Sequence, residues 1–208
     1  MLSKGLDQLG FKFDDKILCK LSDYISLVEK WNHKINLVSR KDIHRVVERH
    51  VFDSLSVRDY LVGQRLLDIG SGAGFPGLPL AICCPELLFT LVERTQKKSR
   101  FLNLVKSSLN LKNIDCQQVD LKESKEPETS YDTILSRAVS DPVNVWRLCR
   151  SRLNDGGRLL FFLSTNSNGS IESAINSVEA IDGIDWQIVD VLVPVLSDFH
   201  KVLMIEEK

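Results

Sequence analysis

The stretch "LLDIGSGAGFPGLPLAI", residues 66–82, ends an apolar run at Asp68, then sets Gly70, Gly72, Gly74 and Gly77 within eight residues before a helix-like apolar tail. A strand, a glycine-rich turn and a helix in that order place a nucleotide-shaped ligand beyond the carboxyl ends of a doubly wound sheet. Glycines at such a turn accept positive φ and let the backbone approach the ligand closely. The sequence on either side supports this reading. From residue 65 onward, apolar strand candidates fall at 65–69, 88–93, 114–119, 131–136, 158–164, 186–193 and 202–205. Helical patterns occupy 78–84, 96–108, 142–153 and 170–180. That alternation predicts an α/β fold with crossover helices on both faces of the sheet. The short connection at 194–201 has no room for a crossover helix, so the last two strands should pair antiparallel and make the seven-stranded sheet mixed.

The first sixty residues have a different rhythm. Ile17, Leu21, Tyr24, Val28, Trp31 and Ile35 recur at steps of four and three, the spacing of one helix face, with Asp14 or Asp15 at its start. A second helical pattern after Asp42 turns Ile43, Val46, Val47, Val51 and Leu55 inward. Two short helices cannot bury such stripes alone, so residues 1–62 are expected as a helical extension packed on a core domain at 63–208.

The glycine loop admits two ligand classes. Gly72, Gly74 and Gly77 satisfy the G-x-G-x-x-G spacing of dinucleotide sites. Against a pyrophosphate stand Asp68, whose carboxylate is expected to point into the crevice, and Pro76, which removes an amide that a phosphate cradle would use. An acid there attracts the amino group or sulfonium of S-adenosylmethionine (SAM), which is the favoured ligand. Glu93, at the end of the second strand, offers acceptors to ribose hydroxyls of either ligand. Asp120 is placed for an adenine amino group. Each also has a structural alternative: Asp68 as a helix cap, Glu93 as a solvated strand end, Asp120 as a turn former and Gly77 as a helix–sheet contact.

After the fourth strand, "ILSRAVSDP" (134–142) carries neither an Asn-Pro-Pro-Tyr-type grip for an exocyclic amine nor a cysteine nucleophile. Arg137 puts a forked, permanently charged donor there, suited to phosphate or to the acceptor edge of guanine, or else to a salt bridge with an acid such as Asp132. Basic residues gather at Lys30, Lys34, Arg40, Lys41, Arg45 and Arg49, interleaved with Trp31, His33, His44 and His50. A second run is Lys97, Lys98 and Arg100. Either run alone fits a solvated helix face; together, flanking one crevice, they form an electrostatic track for an RNA backbone. The net charge of −1 shows no global basic field, so any such track is local. Five scattered cysteines, none in a C-x-x-C pair, read as small buried hydrophobes, and no metal site is expected. No secretory signal or membrane-length apolar run is visible, which predicts a cytoplasmic chain.

The stretches "KWNHKINLVS" (30–39), "RHVFDSL" (49–55), "DIGSGAGFPGLPLAI" (68–82), "ERTQKKSRFL" (93–102) and "SRAV" (136–139) stand in the order of one family. The chain resembles the bacterial 16S ribosomal RNA guanine-N7 methyltransferases, the glucose-inhibited division protein B family, over nearly its whole length. The resemblance implies a Rossmann-like class I SAM-dependent methyltransferase fold and methyl transfer from SAM to N7 of a guanine in the decoding-region loop of 16S rRNA. By motif matching it assigns SAM contacts to Gly70, Phe75, Leu121, Lys122 and Arg137, beside Asp68, Gly72, Gly74, Glu93 and Asp120. The sequence departs from the family at "VDLKE" (119–123), where Asp120 and Lys122 stand for an Arg-x-Glu-like pair. It departs again at Leu163-Ser164 for Lys-Gly and at His200-Lys201 for Arg-His, where Lys201 keeps a basic RNA-binding candidate. N7 has a lone pair and no proton, so the reaction needs placement and no general base. The expected partner is 16S rRNA or the 30S subunit, with no obligate protein partner and a monomeric chain. The alternatives are a methyltransferase for another RNA or a small molecule, a non-catalytic SAM- or RNA-binding module, and an NAD(P) oxidoreductase.

Overall fold

A computed structural model of the chain describes residues 1–122, 129–137, 141–163, 168–194 and 198–208, without the side chains of 168–170 and 198. Ala138, Val139 and Ser164 of the motifs above lie outside the described residues. The amino-terminal segment begins with α1 (Leu2–Gln8), which the sequence reading missed, and α2 (Asp15–Ile35). Asp14 caps α2 by accepting the Ile17 amide at 2.9 Å. Asn36, left-handed at φ 50°, ends it, and Asn32 Oδ1 accepts the Val38 amide six residues on. The two asparagines of "KWNHKINLVS" therefore shape the helix end. The pattern after Asp42 is one helical stretch of changing pitch: a 3-10 turn at Ile43–Arg45, a π turn at Val47–Phe52 and α3 (Asp53–Leu55). Of its five inward candidates, Val46, Val51 and Leu55 are buried, while Ile43 and Val47 are partly covered.

From there the chain alternates as expected: β1 (Arg65–Ile69), α4 (Gly77–Cys83), β2 (Leu88–Val92), α5 (Gln96–Ser108), β3 (Ile114–Gln117), β4 (Tyr131–Arg137), α6 (Pro142–Cys149), β5 (Leu153–Phe162), α7 (Asn168–Glu179), β6 (Ile184–Val193) and β7 (Asp198–Glu207). The strands form one sheet in the order β3-β2-β1-β4-β5-β7-β6. Pairs among the first five are parallel, whereas β7 runs antiparallel to both β5 and β6. β5 starts five residues earlier than its apolar run, because "LNDGG" reads as a turn yet pairs at Leu153 with Tyr131.

Alternation along β1 divides the core. Leu66 joins a cluster with α2, α4 and α5; Leu67 and Ile69 join another with α6 and α7. The amino-terminal helices have no core of their own: Leu21, Tyr24 and Val28 share the first cluster with Leu78 and Leu91. Burying each of those α2 side chains stabilises the docked arrangement by roughly 1.5–3 kcal/mol. Cys83, Cys84 and Cys149 are buried as expected, but Cys116 is half-covered and Cys19 is exposed on α2. Among the described residues, no helix is long and apolar enough to cross a membrane.

Candidate cofactor site and its flank

Six of the seven N–H groups in the loop at residues 70–77 already have acceptors within the chain. Gly70 and Ser71 both donate to the Val92 carbonyl, at 2.9 and 3.0 Å. Gly74 and Phe75 donate to the Ser71 carbonyl, at 2.6 and 3.2 Å. Gly72 donates to Glu93 Oε2 at 3.1 Å, and Gly77 to Asp68 Oδ2 at 3.0 Å. Positive φ at Gly70, Gly72 and Gly74 makes this folding-back possible. A phosphate cradle needs unclaimed amides. This loop gives its amides to its own chain, two of them to carboxylates.

Beside the loop lies a cavity of about 370 Å³ at the carboxyl ends of β1, β2 and β3. Ile69 and Gly70 form its base, and Val92, Glu93, Arg94 and Thr95 one wall. Val119 through Lys122 lie opposite, and Asn144, Val145 and Leu148 of α6 close it. Glu93 is buried and also accepts the Thr95 amide through Oε1 at 2.7 Å, so each carboxylate oxygen keeps a lone pair for a hydroxyl. Asp120 Oδ1 accepts the Lys122 amide at 3.1 Å, the turn-forming role weighed for it, while still facing the cavity. Apolar walls for a flat ring and two acids for hydroxyl and amino groups fit the adenosine half of SAM.

Asp68 corrects the sequence reading. Its carboxylate does not line the cavity; it lies fully buried on the α4 face and holds Gly77 at the start of that helix. Alternation along β1 forces this, since Ile69 faces the cavity side. Burial pushes its pKa up to about 7, partly offset by the Gly77 hydrogen bond, so it is not a fixed negative charge. Phe75 also departs from expectation. Its ring stacks on His50 at 5.1 Å and tilts against Tyr24 at 5.5 Å, fastening the glycine loop to the amino-terminal segment. Tyr24 adds a hydrogen bond from its hydroxyl to the Ala73 carbonyl at 3.0 Å. Gly72 and Gly74 shape the loop rather than line the cavity; a Cβ on Gly74 would lie 2.2 Å from Leu78.

Arg137 does not reach the cavity either. Its Nη2 donates to Asp53 Oδ2 at 2.8 Å and to the Arg49 carbonyl at 2.9 Å. The salt bridge weighed from sequence therefore exists, with Asp53 in place of Asp132. Asp132 instead accepts the Gln64 and Arg65 amides, which fixes the entry to β1.

A family model described as rRNA small subunit methyltransferase G (GidB) matches residues 17–192. The chain belongs to the rRNA small subunit methyltransferase G family. Curated relatives with that name include one from Coxiella burnetii, 35% identical over 88% of this chain and 91% of its own. Another, from Salmonella arizonae, is 36% identical over 87% and 88%, and one from Legionella pneumophila is 44% identical over 67% and 65%. Among solved structures, a putative caffeoyl-CoA O-methyltransferase from Staphylococcus aureus superposes with TM-score 0.59 at 12% identity, over 88% of this chain and 91% of that one. The tRNA (m1A58) methyltransferase TrmI from Aquifex aeolicus gives 0.56 at 18%, over 76% and 68%. These likenesses identify the class I methyltransferase fold.

In this member of the GidB family the basic candidates separate. Lys98 lines the cavity rather than an outer track. His50 is stacked under Phe75, and burial, with the nearby Arg137 charge, lowers its pKa to about 4, so it is neutral at physiological pH and no part of a cationic track. Arg45 pairs with Glu48, Arg49 with Asp42 and Lys201 with Asp190, while Lys34 lies over the Trp31 ring. Lys30, Arg40, Lys41, Lys97 and Arg100 are exposed, with no acid at ion-pair distance among the described residues. Sequence reading missed the α6 wall of the cavity. The available signal was "DP" at 141–142: Asp141 caps α6 and Pro142 opens it, which sets Asn144 and Val145 in its first turns at the carboxyl end of the sheet.

Proposed function

We propose that the chain transfers a methyl group from S-adenosylmethionine to N7 of a guanine in the 16S rRNA of the small ribosomal subunit, as a cytoplasmic monomer. The family match over residues 17–192 carries this reading, and the cavity beside an amide-satisfied glycine loop supports it over a dinucleotide enzyme. When bound, S-adenosylmethionine supplies a methyl group on a positively charged sulfur. Guanine N7 carries a lone pair and no proton, so methylation there, with the sulfur–methyl bond breaking to leave neutral S-adenosylhomocysteine, would need no side chain to remove one. The protein contributes placement, an effect worth at most about 7–11 kcal/mol. Glu93 and Asp120 hold the nucleoside end, and the apolar side chains of Val119, Leu121, Val145 and Leu148 exclude water from its ring. Arg137 orients the acceptor base or its phosphate from the flank of the site. Lys30, Arg40, Lys41, Lys97 and Arg100 guide the RNA backbone.

The deciding experiment maps methylation of 16S rRNA by mass spectrometry with and without the gene, and incubates the purified protein with labelled S-adenosylmethionine and 30S subunits or naked 16S rRNA from the deleted strain. Loss of one N7-methylguanosine in the cell and its restoration in the tube are expected. An unchanged rRNA methylation map, with no label incorporated, would overturn the reading.

A further inference from the structure

Asp53 lies buried at the start of α3 and holds two basic side chains brought from distant parts of the chain. Its Oδ2 takes Arg137 at the carboxyl end of β4 at 2.8 Å; its Oδ1 meets His200 Nδ1 on β7 at 2.6 Å. Both oxygens of this buried side chain are thereby partnered, as a buried polar group requires. The consequence for Arg137 is asymmetric. One guanidinium nitrogen is pinned between Asp53 and the Arg49 carbonyl, while Nη1 is buried with no hydrogen-bond partner among the described residues. Planarity then fixes the direction of that second nitrogen. The guanidinium carbon also lies 5.9 Å from the centre of the Phe162 ring, which limits its swing. Close by, His50 Nε2 is likewise buried without a partner among the described residues. Unmatched buried donors are costly in a folded protein unless a ligand supplies the acceptor.

We propose that Asp53 is a positioning residue for methyl transfer: it pins one nitrogen of Arg137 so that the other is held ready for an acceptor on the substrate nucleotide, and through His200 it locks β7 and residues 47–55 to the same point. This rests on the reading of Arg137 as the group that orients the acceptor. Asp53 touches neither substrate nor cofactor in this scheme and acts through Arg137.

The test is a double-mutant cycle of Asp53→Asn and Arg137→Ala, measuring kcat and KM for 30S subunits or 16S rRNA together with S-adenosylmethionine affinity by calorimetry. Asp53→Asn should lower kcat at least about tenfold with S-adenosylmethionine affinity within about twofold, and the double variant should be no slower than Arg137→Ala alone. Losses that multiply, or a wild-type kcat in Asp53→Asn, would overturn the proposal. If Asp53→Asn does not fold, Arg137→Lys replaces it: this variant keeps the charge beside Asp53 but loses the second nitrogen. It should lose rate with cofactor binding intact, and an unchanged rate would again overturn the proposal. Hydrogen exchange adds an arm that needs no turnover. Asp53→Asn should deprotect the amides of residues 47–55 as much as Arg137→Ala does, and unchanged protection counts against the clamp. Absence of guanine-N7 methylation by the wild-type protein would remove the functional reading alone, leaving the exchange arm to decide the clamp.

Discussion

Asp68 and Gly77, nine residues apart, meet at 3.0 Å through the Asp68 carboxylate and the Gly77 amide, and no larger residue fits at position 77. A Cβ there would lie 2.7 Å from Asp68 Oδ2 and 2.3 Å from Leu91. The acid at the end of β1 thus sets where α4 begins, and α4 sets the glycine loop between them. Its other oxygen, Oδ1, has no partner among the described residues, which is why burial outweighs the Gly77 hydrogen bond and raises the pKa to about 7.

The sign of the resulting pH dependence follows from proton binding. Between about pH 4 and 7 the folded chain keeps a proton on Asp68 that the unfolded chain has released, so stability falls as pH rises through that window. The contribution is full below pH 4, is lost above about 7, and is worth on the order of 4 kcal/mol. Asp68→Asn keeps the acceptor for Gly77 but cannot ionise. Urea denaturation at pH 5 and pH 8 should show the variant gaining on the wild type by a few kcal/mol between the two; a constant difference would remove the assignment.

Gly10 and Gly63 offer a matched pair of substitutions. Both have positive φ, 67° and 62°, but a Cβ on Gly10 meets nothing within 4 Å, whereas one on Gly63 lies 2.1 Å from Asp132 Cγ. Gly10→Ala should cost only the left-handed backbone penalty, roughly 1–2 kcal/mol. Gly63→Ala should cost more by about 1–3 kcal/mol, because it must also displace the carboxylate that holds the Gln64 and Arg65 amides. Chemical denaturation of the two variants checks the difference; equal losses would mean that Asp132 yields freely.

Glu93 joins the loop to the cavity, so its two variants should separate. Glu93→Gln keeps one acceptor for the Gly72 or Thr95 amide, whereas Glu93→Ala loses both and removes the hydroxyl acceptor from the wall. Calorimetric affinity for S-adenosylmethionine should fall at least about tenfold more for Ala than for Gln, or about 1.4 kcal/mol. Equal effects would show that charge alone matters there.

The parts of the fold that were readable in sequence are those specified by local period. The parallel strands, α5 and the antiparallel end of the sheet follow from apolar alternation and connection length, and β1 and α5 fall at the expected residues. Local pattern failed where tertiary contact overrules propensity. α1 carries Gly5 in its middle because the Phe52 ring lies where a side chain would be, and β5 begins at Leu153 because Tyr131 of β4 is there to pair with it, the register shifting across "NDGG". Of the cavity lining, Glu93 and Asp120 were expected from their places after strands, and Gly70, Leu121 and Lys122 from the family resemblance; all five line the cavity. The side-chain direction of Asp68 and the Asp53 partnership of Arg137 were not. The first depends on which face of β1 the loop covers; the second joins segments that no sequence spacing relates.

The same distinction decides which cations should bind RNA. A lysine or arginine already paired with an acid exchanges one partner for another on meeting phosphate, whereas an unpaired one releases a counterion from the nucleic acid. Arg49 is paired with Asp42 and Lys201 with Asp190, but the neighbouring Arg40 and Lys41 are exposed with no acid at ion-pair distance among the described residues. Replacing Arg40 and Lys41 together by Ala should therefore reduce the slope of log affinity against log salt by about 1.4–1.8 for a 16S rRNA fragment, at 0.7–0.9 per contact. Replacing Arg49 and Lys201 should change it by less than half as much. Fluorescence anisotropy titrations from low to moderate salt measure both slopes, and S-adenosylmethionine affinity should be unchanged in the Arg40/Lys41 variant because neither residue lines the cavity. If the Arg49/Lys201 variant moved the slope more, ion pairing in the free protein would not be what selects the RNA contacts.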